Sequence, residues 1–112
     1  MNVMFTGNQA IRDGCCRGGG GGILNIISNP TLINVTFDGN SASSLFYPYG
    51  GAIANYLQSN PVLINTTFSH DSAQIGGAIY NSDGSSPTIR NSILSGNTAG
   101  QPGSAFLLAS MT

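Results

Sequence analysis

The sequence predicts an all-β protein, a parallel β-helix with about three to four coils and three short strands in each coil. The first observation is a repeated phrase, since GGAIAN at residues 50–55 returns 26 residues later as GGAIYN at residues 76–81. The second is a longer echo, SNPTLINVTF at residues 28–37 and SNPVLINTTF at residues 59–68. Repeats with a period of about 20 to 50 residues are typical of stacked structural units. The third is that Gly, Asn, Ser and Pro interrupt every apolar run, so no run is long enough for an ordinary helix.

The elements of one coil follow one another in a fixed order. In the second copy they are a glycine-led strand at residues 51–55, a strand after the proline at residues 62–64, and a strand at residues 65–68. Short apolar or β-branched runs bounded by turn residues are typical of strands. One coil cannot bury its apolar side alone, so the coils must stack around a shared interior. The whole chain, residues 1–112, is therefore interpreted as one repeat domain.

Stacking places matched residues of successive coils above one another and predicts ladders of like side chains. The predicted ladders are Ile53 on Ile79, Phe37 on Phe68 on Leu94, and the turn asparagines Asn34, Asn65 and Asn91. Asparagine suits such a turn because it tolerates unusual backbone angles and bonds its neighbours. These ladders are interpreted as structural.

The two alternating motifs resemble the repeat of the chlamydial polymorphic outer membrane proteins. GGAI occurs at residues 50–53 and 76–79, and FxxN occurs at residues 5–8 and 37–40. The resemblance implies a right-handed parallel β-helix that acts as a secreted passenger scaffold implicated in adhesion, and it brings no catalytic motif. It also implies an extracellular or outer-membrane location for the parent protein.

The low charge of the chain excludes one class of partner. Charged residues make up 6% of the sequence, the net charge is −1 at pH 7, and the three basic residues are scattered. A nucleic-acid binder needs clustered Lys and Arg, so nucleic acid is not expected as a partner. No apolar run approaches the roughly 18 residues of a membrane-spanning helix, and no signal peptide is visible at the N-terminus.

Neither end of the sequence shows the polar cap that protects the open edge of a solenoid. In the repeat register the chain begins on the third strand of a coil and ends just after a glycine strand. Two expectations follow. The chain is a piece of a longer passenger protein, or it stacks end to end on itself.

A first inserted loop is predicted at residues 11–22, which contain Cys15, Cys16 and a run of glycines. Adjacent cysteines form only a strained disulfide, and a metal site needs more ligands than the single His70 supplies. The segment is interpreted as a loop with two thiols, while a vicinal or an intermolecular disulfide stays open. No cofactor or metal ligand is predicted anywhere in the chain.

A second inserted loop, at residues 43–49, holds the candidate binding residues Phe46, Tyr47 and Tyr49. Loops that leave a solenoid are free to carry binding, and aromatic rings stiffened by a proline suit a glycan or an apolar patch on a host surface protein. The alternative is that this loop folds back and covers its own coil.

Further polar motifs are interpreted as structural. Residues 34–36 and 65–67 match the acceptor pattern for N-glycosylation, but the repeat register predicts that both lie at inward-facing turns. His70 and Asp71 are neighbours that are expected to point apart, with no serine nucleophile in register. Asp71 occupies the place of Asn40 in the repeat and is predicted to take its ladder role. No catalytic residue is predicted.

The sequence favours a non-enzymatic surface module, an adhesin-type scaffold that displays binding loops. One alternative is a fragment of a carbohydrate-active β-helix enzyme, since pectate lyases and polygalacturonases use this architecture. Such a site needs clustered acids, and Asp38 and Asp71 fall at different positions of the repeat. The other alternative is a self-stacking structural fibre unit.

Overall fold

The computed structural model describes residues 2–12, 19–44, 49–82, 84–100 and 106–108, and every structural statement below concerns these residues. They contain short strands and no helix. The strands are β1 (Val3–Thr6), β2 (Gln9–Arg12), β3 (Ile23–Ile26), β4 (Thr31–Ile33), β5 (Val35–Asp38), β6 (Ser41–Ser44), β7 (Ile53–Tyr56), β8 (Val62–Ile64), β9 (Thr67–Ser69), β10 (Ser72–Ala73), β11 (Ile79–Asn81), β12 (Thr88–Arg90), β13 (Ile93–Ser95), β14 (Thr98–Ala99) and β15 (Phe106–Leu108). This part of the chain has no helix that could cross a membrane.

Each strand pairs with the strand four places further along the chain, so the strands form four parallel sheets. The orders are β4-β8-β12, β1-β5-β9-β13, β2-β6-β10-β14 and β3-β7-β11-β15. We call the second of these the phenylalanine sheet and the last the GGAI sheet, after the residues that they carry. The parallel β-helix predicted from the repeat is therefore confirmed.

The coil has four short strands rather than the predicted three. The additional strand follows the FxxN tetrad and is only two residues long in two of its copies, Ser72–Ala73 and Thr98–Ala99. Small and polar residues over so short a run give no apolar alternation for sequence reasoning to detect. Its backbone still pairs in parallel with the coils on either side.

The coils stack in strict register. Phe5 pairs with Phe37 and Phe37 pairs with Phe68, while Leu94 continues the same column. The rings of Phe5 and Phe37 are stacked with centroids 4.9 Å apart, as are those of Phe37 and Phe68. Each such ring pair contributes about 0.5–1.5 kcal/mol beyond the area that it buries. Ile53 and Ile79 pair in the same way in the GGAI sheet.

The interior is lined by the phenylalanine sheet, the GGAI sheet and the β4-β8-β12 sheet. The buried apolar cluster consists of Val35, Phe37, Ala52, Ile53, Leu63, Phe68, Ala78 and Ile79. Burying each large side chain contributes about 1.5–3 kcal/mol. A Cβ on Gly22, at the entry to the GGAI sheet, would lie 3.1 Å from the ring of Phe37, which shows how closely the two sheets face each other.

The paired glycines of the GGAI motif are required by a close backbone approach between coils. A Cβ on Gly51 would collide with the carbonyl oxygen of Gly77, and a Cβ on Gly77 would collide with that of Thr98. Gly50 and Gly76 have φ of 72° and 67°, in the left-handed region that favours glycine. The first glycine of each pair therefore permits the left-handed turn, and the second permits the close stacking of one coil on the next.

The predicted inserted loops begin later than expected. Residues 9–12 pair one for one with residues 41–44, so the first two residues of each predicted loop are strand. This pairing satisfies backbone groups that a loop would leave to water. Residues 13–18, which include Cys15 and Cys16, and residues 45–48 lie outside the described residues.

Candidate functional site

A cluster of tyrosines lies on the outer side of the GGAI sheet. Tyr49 forms an isolated parallel bridge with Ile75, and its ring stacks on that of Tyr80 with centroids 4.5 Å apart and an interplanar angle of 28°. The ring of Tyr56 lies 5.7 Å from that of Tyr80 in a tilted arrangement. Tyr49 and Tyr80 are partly exposed, whereas Tyr56 is buried. The three rings form one cluster with Tyr80 between the other two, and only Tyr49 and Tyr80 reach the surface.

Strand alternation explains why these rings face outward. Successive side chains of a strand point to opposite faces of the sheet. Ile53 and Asn55 in β7 are fully buried in the interior, so Ala54 and Tyr56 lie on the outer side. In β11 the same alternation directs Tyr80 outward. Ala54 is completely buried although it lies on the outer side, whereas Tyr80, which pairs with it, is partly exposed.

Exposed aliphatic residues extend the cluster along the first coil. Leu24 pairs with Ala54, and Ile26 pairs with Tyr56, so both lie on the same outer face. Their side chains are 41% and 45% exposed. We call the surface formed by Leu24, Ile26, Tyr49 and Tyr80, together with the buried Tyr56 that contacts Tyr80, the tyrosine face. It carries no charged side chain, so its chemistry is that of apolar contact and tyrosine hydroxyl hydrogen bonding.

Of the three predicted binding residues, only Tyr49 is described, because Phe46 and Tyr47 lie outside the described residues. Tyr49 packs onto the coil through Tyr80. Sequence reasoning missed Tyr56 and Tyr80, which come from the strands themselves. The substitution of Tyr80 for Ala54 within the repeated GGAI phrase was the available signal.

Asp38 and His70 form an exposed pair on the outer side of the phenylalanine sheet. The Oδ1 atom of Asp38 lies 3.1 Å from Nδ1 of His70 and accepts a hydrogen bond of 2.8 Å from the hydroxyl of Ser69. The hydrogen bonds with His70 and then Ser69 lower the pKa of the Asp38 carboxyl. Ser69 and His70 both bond the carboxylate rather than each other, so the group does not provide an activated nucleophile.

Asp71 points away from its neighbour His70 and lies inside the coil. Its Oδ1 accepts hydrogen bonds from the backbone N–H and the side-chain amide of Asn40, at 2.8 and 3.0 Å. Its own N–H donates to Oδ1 of Asn97 at 3.0 Å. Asp71 therefore occupies the ladder position predicted for it. Burial raises the pKa of this carboxyl, and its Oδ2 is buried without a hydrogen-bond partner among the described atoms.

The structure places the predicted turn asparagines on the surface. Asn34, Asn65 and Asn91 have φ of 58°, 54° and 50°, and all three are exposed. The prediction that the first two face inward is wrong, because the buried Val35 and Thr66 that follow them take the inward direction. This row lies on the opposite side of the coil from the tyrosine face.

A buried amide ladder is formed instead by three other asparagines, which sequence reasoning did not assign. The Nδ2 of Asn25 donates to Oδ1 of Asn55 at 2.8 Å, and the Nδ2 of Asn55 donates to Oδ1 of Asn81 at 2.7 Å. Each asparagine stands two residues after a buried or partly buried isoleucine, so alternation directs it inward. The repeated phrases GGAIAN and GGAIYN both end in this asparagine, and that repetition was the available sequence signal.

The described residues contain no group of three or more His, Cys, Asp or Glu side chains that could hold a metal ion. Asp38 is partly exposed on the outer side of the phenylalanine sheet, whereas Asp71 is buried. Within this part of the molecule, the tyrosine face is therefore the best candidate for a functional surface.

Comparison with protein families matches residues 34–56 to the Chlamydia polymorphic membrane protein repeat. The match runs from the turn before β5 to the end of β7, three of the four strands of a coil, and so includes Tyr49 and Tyr56. Neither the curated proteins nor the solved structures contain a match to this chain.

Proposed function

We propose, from the polymorphic membrane protein repeat at residues 34–56, that the chain is a non-enzymatic module of a bacterial surface protein, and that its tyrosine face binds a neutral glycan. The repeat itself points to a surface-exposed or outer-membrane parent protein. The binding activity is the step that the proposal adds. The observation that carries it is the partly exposed stack of Tyr49 on Tyr80.

A stacked tyrosine pair suits a sugar better than it suits a charged ligand. The faces of a pyranose ring carry C–H groups that pack on an aromatic ring, and its hydroxyls can bond the tyrosine hydroxyls. The tyrosine face has no charged residue, and the whole chain has a net charge of only −1. A charged ligand would meet no counter-charge there and would pay a larger desolvation cost than a neutral one.

The rigid backbone beneath the rings favours binding as well. Tyr80 belongs to β11, which is paired with β7 on one side and β15 on the other. Tyr49 is tied by its bridge to Ile75. Rings held in this way lose little conformational entropy when a ligand binds, so more of the contact energy appears as affinity.

The non-enzymatic part of the proposal is supported by the two acid groups in the part of the chain that the structure describes. A glycoside-cleaving site needs two carboxyl groups about 5 to 9.5 Å apart facing one ligand. Asp38 bonds Ser69 and His70 on the outer side, while Asp71 is enclosed by the ladder of Asn40 and Asn97. A reducing-end assay on polygalacturonate with and without calcium tests this directly, and release of reducing ends would favour the enzyme alternative.

The binding test is a titration of immobilised neutral oligosaccharides with the purified chain. Tyr80→Ala and Tyr49→Ala are each expected to weaken binding about 2- to 10-fold, which corresponds to the roughly 0.5–1.5 kcal/mol of one aromatic contact. Tyr80→Phe keeps the ring and should retain most of the affinity if stacking dominates. Met4→Ala, an exposed apolar change on the opposite sheet, is the matched control and should bind as the wild type does.

Equal binding by the wild type, Tyr80→Ala and Tyr49→Ala would overturn the proposed site. Phe46→Ala and Tyr47→Ala extend the same titration to the predicted loop, and a loss confined to those two variants would move the site there. Failure to bind any neutral glycan, together with Tyr80-dependent capture of a host surface protein, would replace the glycan with a protein partner.

A further inference from the structure

We propose that Asn34 and Asn65 are acceptor sites for N-linked glycosylation. Both stand in the acceptor pattern of Asn, any residue except Pro, and Thr, with Thr36 and Thr67 as the third residues. The repeat register predicted that these asparagines face inward, which would have made the pattern a coincidence. The structure removes that objection, because both side chains are exposed.

The turn geometry leaves the side-chain amides free. The backbone N–H of Asn34 donates to the carbonyl of Ile64 at 3.0 Å, and that of Asn65 donates to the carbonyl of Arg90 at 3.1 Å. Neither side-chain amide makes a hydrogen bond with another described residue. The buried Asn40 is different, because its amide bonds both Phe5 and Asp71. The exposed asparagines are held by their backbone alone.

Both acceptor patterns open onto one surface. Thr36 pairs directly with Thr67 across adjacent strands, and both side chains are partly exposed on the outer side of the phenylalanine sheet. Asn34, Thr36 and Asn65 line a shallow groove of about 330 Å³ together with Asn2 and Met4. Each threonine hydroxyl therefore lies on the same side of the sheet as its asparagine.

The modification forms one bond and breaks one. The amide nitrogen of the asparagine attacks C1 of a sugar that is joined to a polyprenyl pyrophosphate, and the N–C1 bond forms as the C1–O bond breaks. The lipid pyrophosphate leaves with the bonding electrons, and the amide proton passes to a base of the oligosaccharyltransferase. The hydroxyl of the third residue is what the transferase recognises. Asparagine is neutral before and after, so the coil gains bulk and no charge.

The glycans would cover a face that the proposed binding function does not use. The phenylalanine sheet faces the GGAI sheet across the apolar interior, so the outer sides of these two sheets point in opposite directions. Sugars on Asn34 or Asn65 would leave the tyrosine face open. The inference therefore stands whether or not that face binds a ligand.

Asn91 provides a control within the chain. It occupies the same turn one coil further on, with a φ of 50° and an exposed side chain. The third residue of its triplet is Ile93, which has no hydroxyl. Exposure and turn geometry are thus matched, and only the acceptor pattern differs.

The test is to direct the full chain through the secretory pathway of a host that carries out N-glycosylation. Sites are then mapped by enzymatic deglycosylation in ¹⁸O-water, which labels each formerly occupied asparagine. The wild type is expected to be labelled at Asn34 and Asn65 and unlabelled at Asn91. Since adjacent strands are about 4.8 Å apart, the first oligosaccharide crowds the second site, and singly modified chains should predominate.

Two variants of the first site give independent evidence. Thr36→Val removes only the hydroxyl and should abolish labelling at Asn34 while labelling at Asn65 persists or rises. Asn34→Gly keeps the positive φ of the turn and should do the same. Ile93→Thr should add Asn91 to the labelled set. The proposal is overturned by an unlabelled wild-type chain, or by labelling at Asn34 that survives Thr36→Val.

Discussion

Two interior ladders run along the same coils and differ at one position. The ladder of Asn25, Asn55 and Asn81 consists of amides, and each amide nitrogen donates to the amide oxygen of the next coil. The ladder of Asn8, Asn40, Asp71 and Asn97 also has one member in each coil, but its third member is a carboxyl. In the first ladder, the side-chain amides of successive coils hydrogen-bond directly to one another. The second leaves Oδ2 of Asp71 buried and unpaired.

The comparison shows what a repeated amide supplies to a stacked coil. At the matched positions, Nδ2 of Asn40 donates to the carbonyl of Phe5, and Nδ2 of Asn97 donates to the carbonyl of Phe68. In the same register the partner at position 71 is the carbonyl of Phe37. An unprotonated carboxyl oxygen cannot donate to it. Asp71 thus accepts hydrogen bonds as an asparagine side chain would at this position, but it cannot donate the one that the asparagine would donate.

The largest effect is expected from breaking the amide ladder at its centre. Asn55→Ala removes the acceptor of Asn25 and the donor to Asn81, and it leaves both partners buried. Each unsatisfied buried group costs about 1–3 kcal/mol, so the free energy of unfolding should fall by about 2–5 kcal/mol. Urea denaturation followed by circular dichroism measures this change.

The matched control for that change is Asn60→Ala. Asn60 belongs to an exposed ladder, in which it accepts from Ser86 and its own N–H donates to Asn29. Water can replace the lost side-chain bond there, so the midpoint should move much less than for Asn55→Ala. Equal losses in the two variants would contradict the view that burial sets the value of a ladder amide.

An intermediate effect of opposite sign is expected from Asp71→Asn. The amide supplies the missing donor toward the carbonyl of Phe37 and removes a buried carboxyl group. The free energy of unfolding at pH 7 should rise by about 1–3 kcal/mol, the usual cost of one buried unsatisfied group. Thermal and urea unfolding of the two proteins side by side measure it. A loss of stability would show that the carboxylate is better accommodated than the unpaired Oδ2 implies.

The smallest effect is a pH dependence of the wild type that Asp71→Asn lacks. Burial raises the pKa of Asp71 above 3.8 in the folded chain, so the folded state binds the proton more tightly than the unfolded state does. The resulting stabilisation is complete below pH 3.8 and disappears as the pH rises through the folded-state pKa. The difference in stability between Asp71→Asn and the wild type should therefore shrink as the pH falls into this window.

The pKa of Asp38 shifts in the opposite direction from that of Asp71, so Asp38 adds its own pH dependence to the measured stability. Hydrogen bonds lower its pKa, so its contribution is present above pH 3.8 and is lost as the pH falls through the lower folded-state value. Both proteins retain Asp38, so their difference removes its contribution apart from the charge interaction between Asp38 and Asp71, which adds to burial in raising the pKa of Asp71. A pH-independent difference would mean that Asp71 titrates alike in the folded and unfolded chains.

Much of the fold could be predicted because its signal is local and repeated. The GGAI and FxxN phrases set the register, and the register alone predicted the column of Phe37, Phe68 and Leu94. The fourth strand could not be found in this way, because Ser72 and Ala73 have no apolar pattern and are held by pairing with their neighbours. The tyrosine face was found only in part, since Tyr49 and Tyr80 are far apart in sequence and their contact depends on coil stacking.

The sequence by itself determined that coils stack and which residues lie above one another, because a repeat fixes register whatever the shape of the turns. It did not determine whether the side chain of each repeated asparagine points into the coil or out to solvent. That choice placed Asn34 and Asn65 outside and Asn25, Asn55 and Asn81 inside. Only the closed coil decides it, because the left-handed turns and the packing of Phe37 and Phe68 against Ile53 and Ile79 orient every neighbouring side chain together.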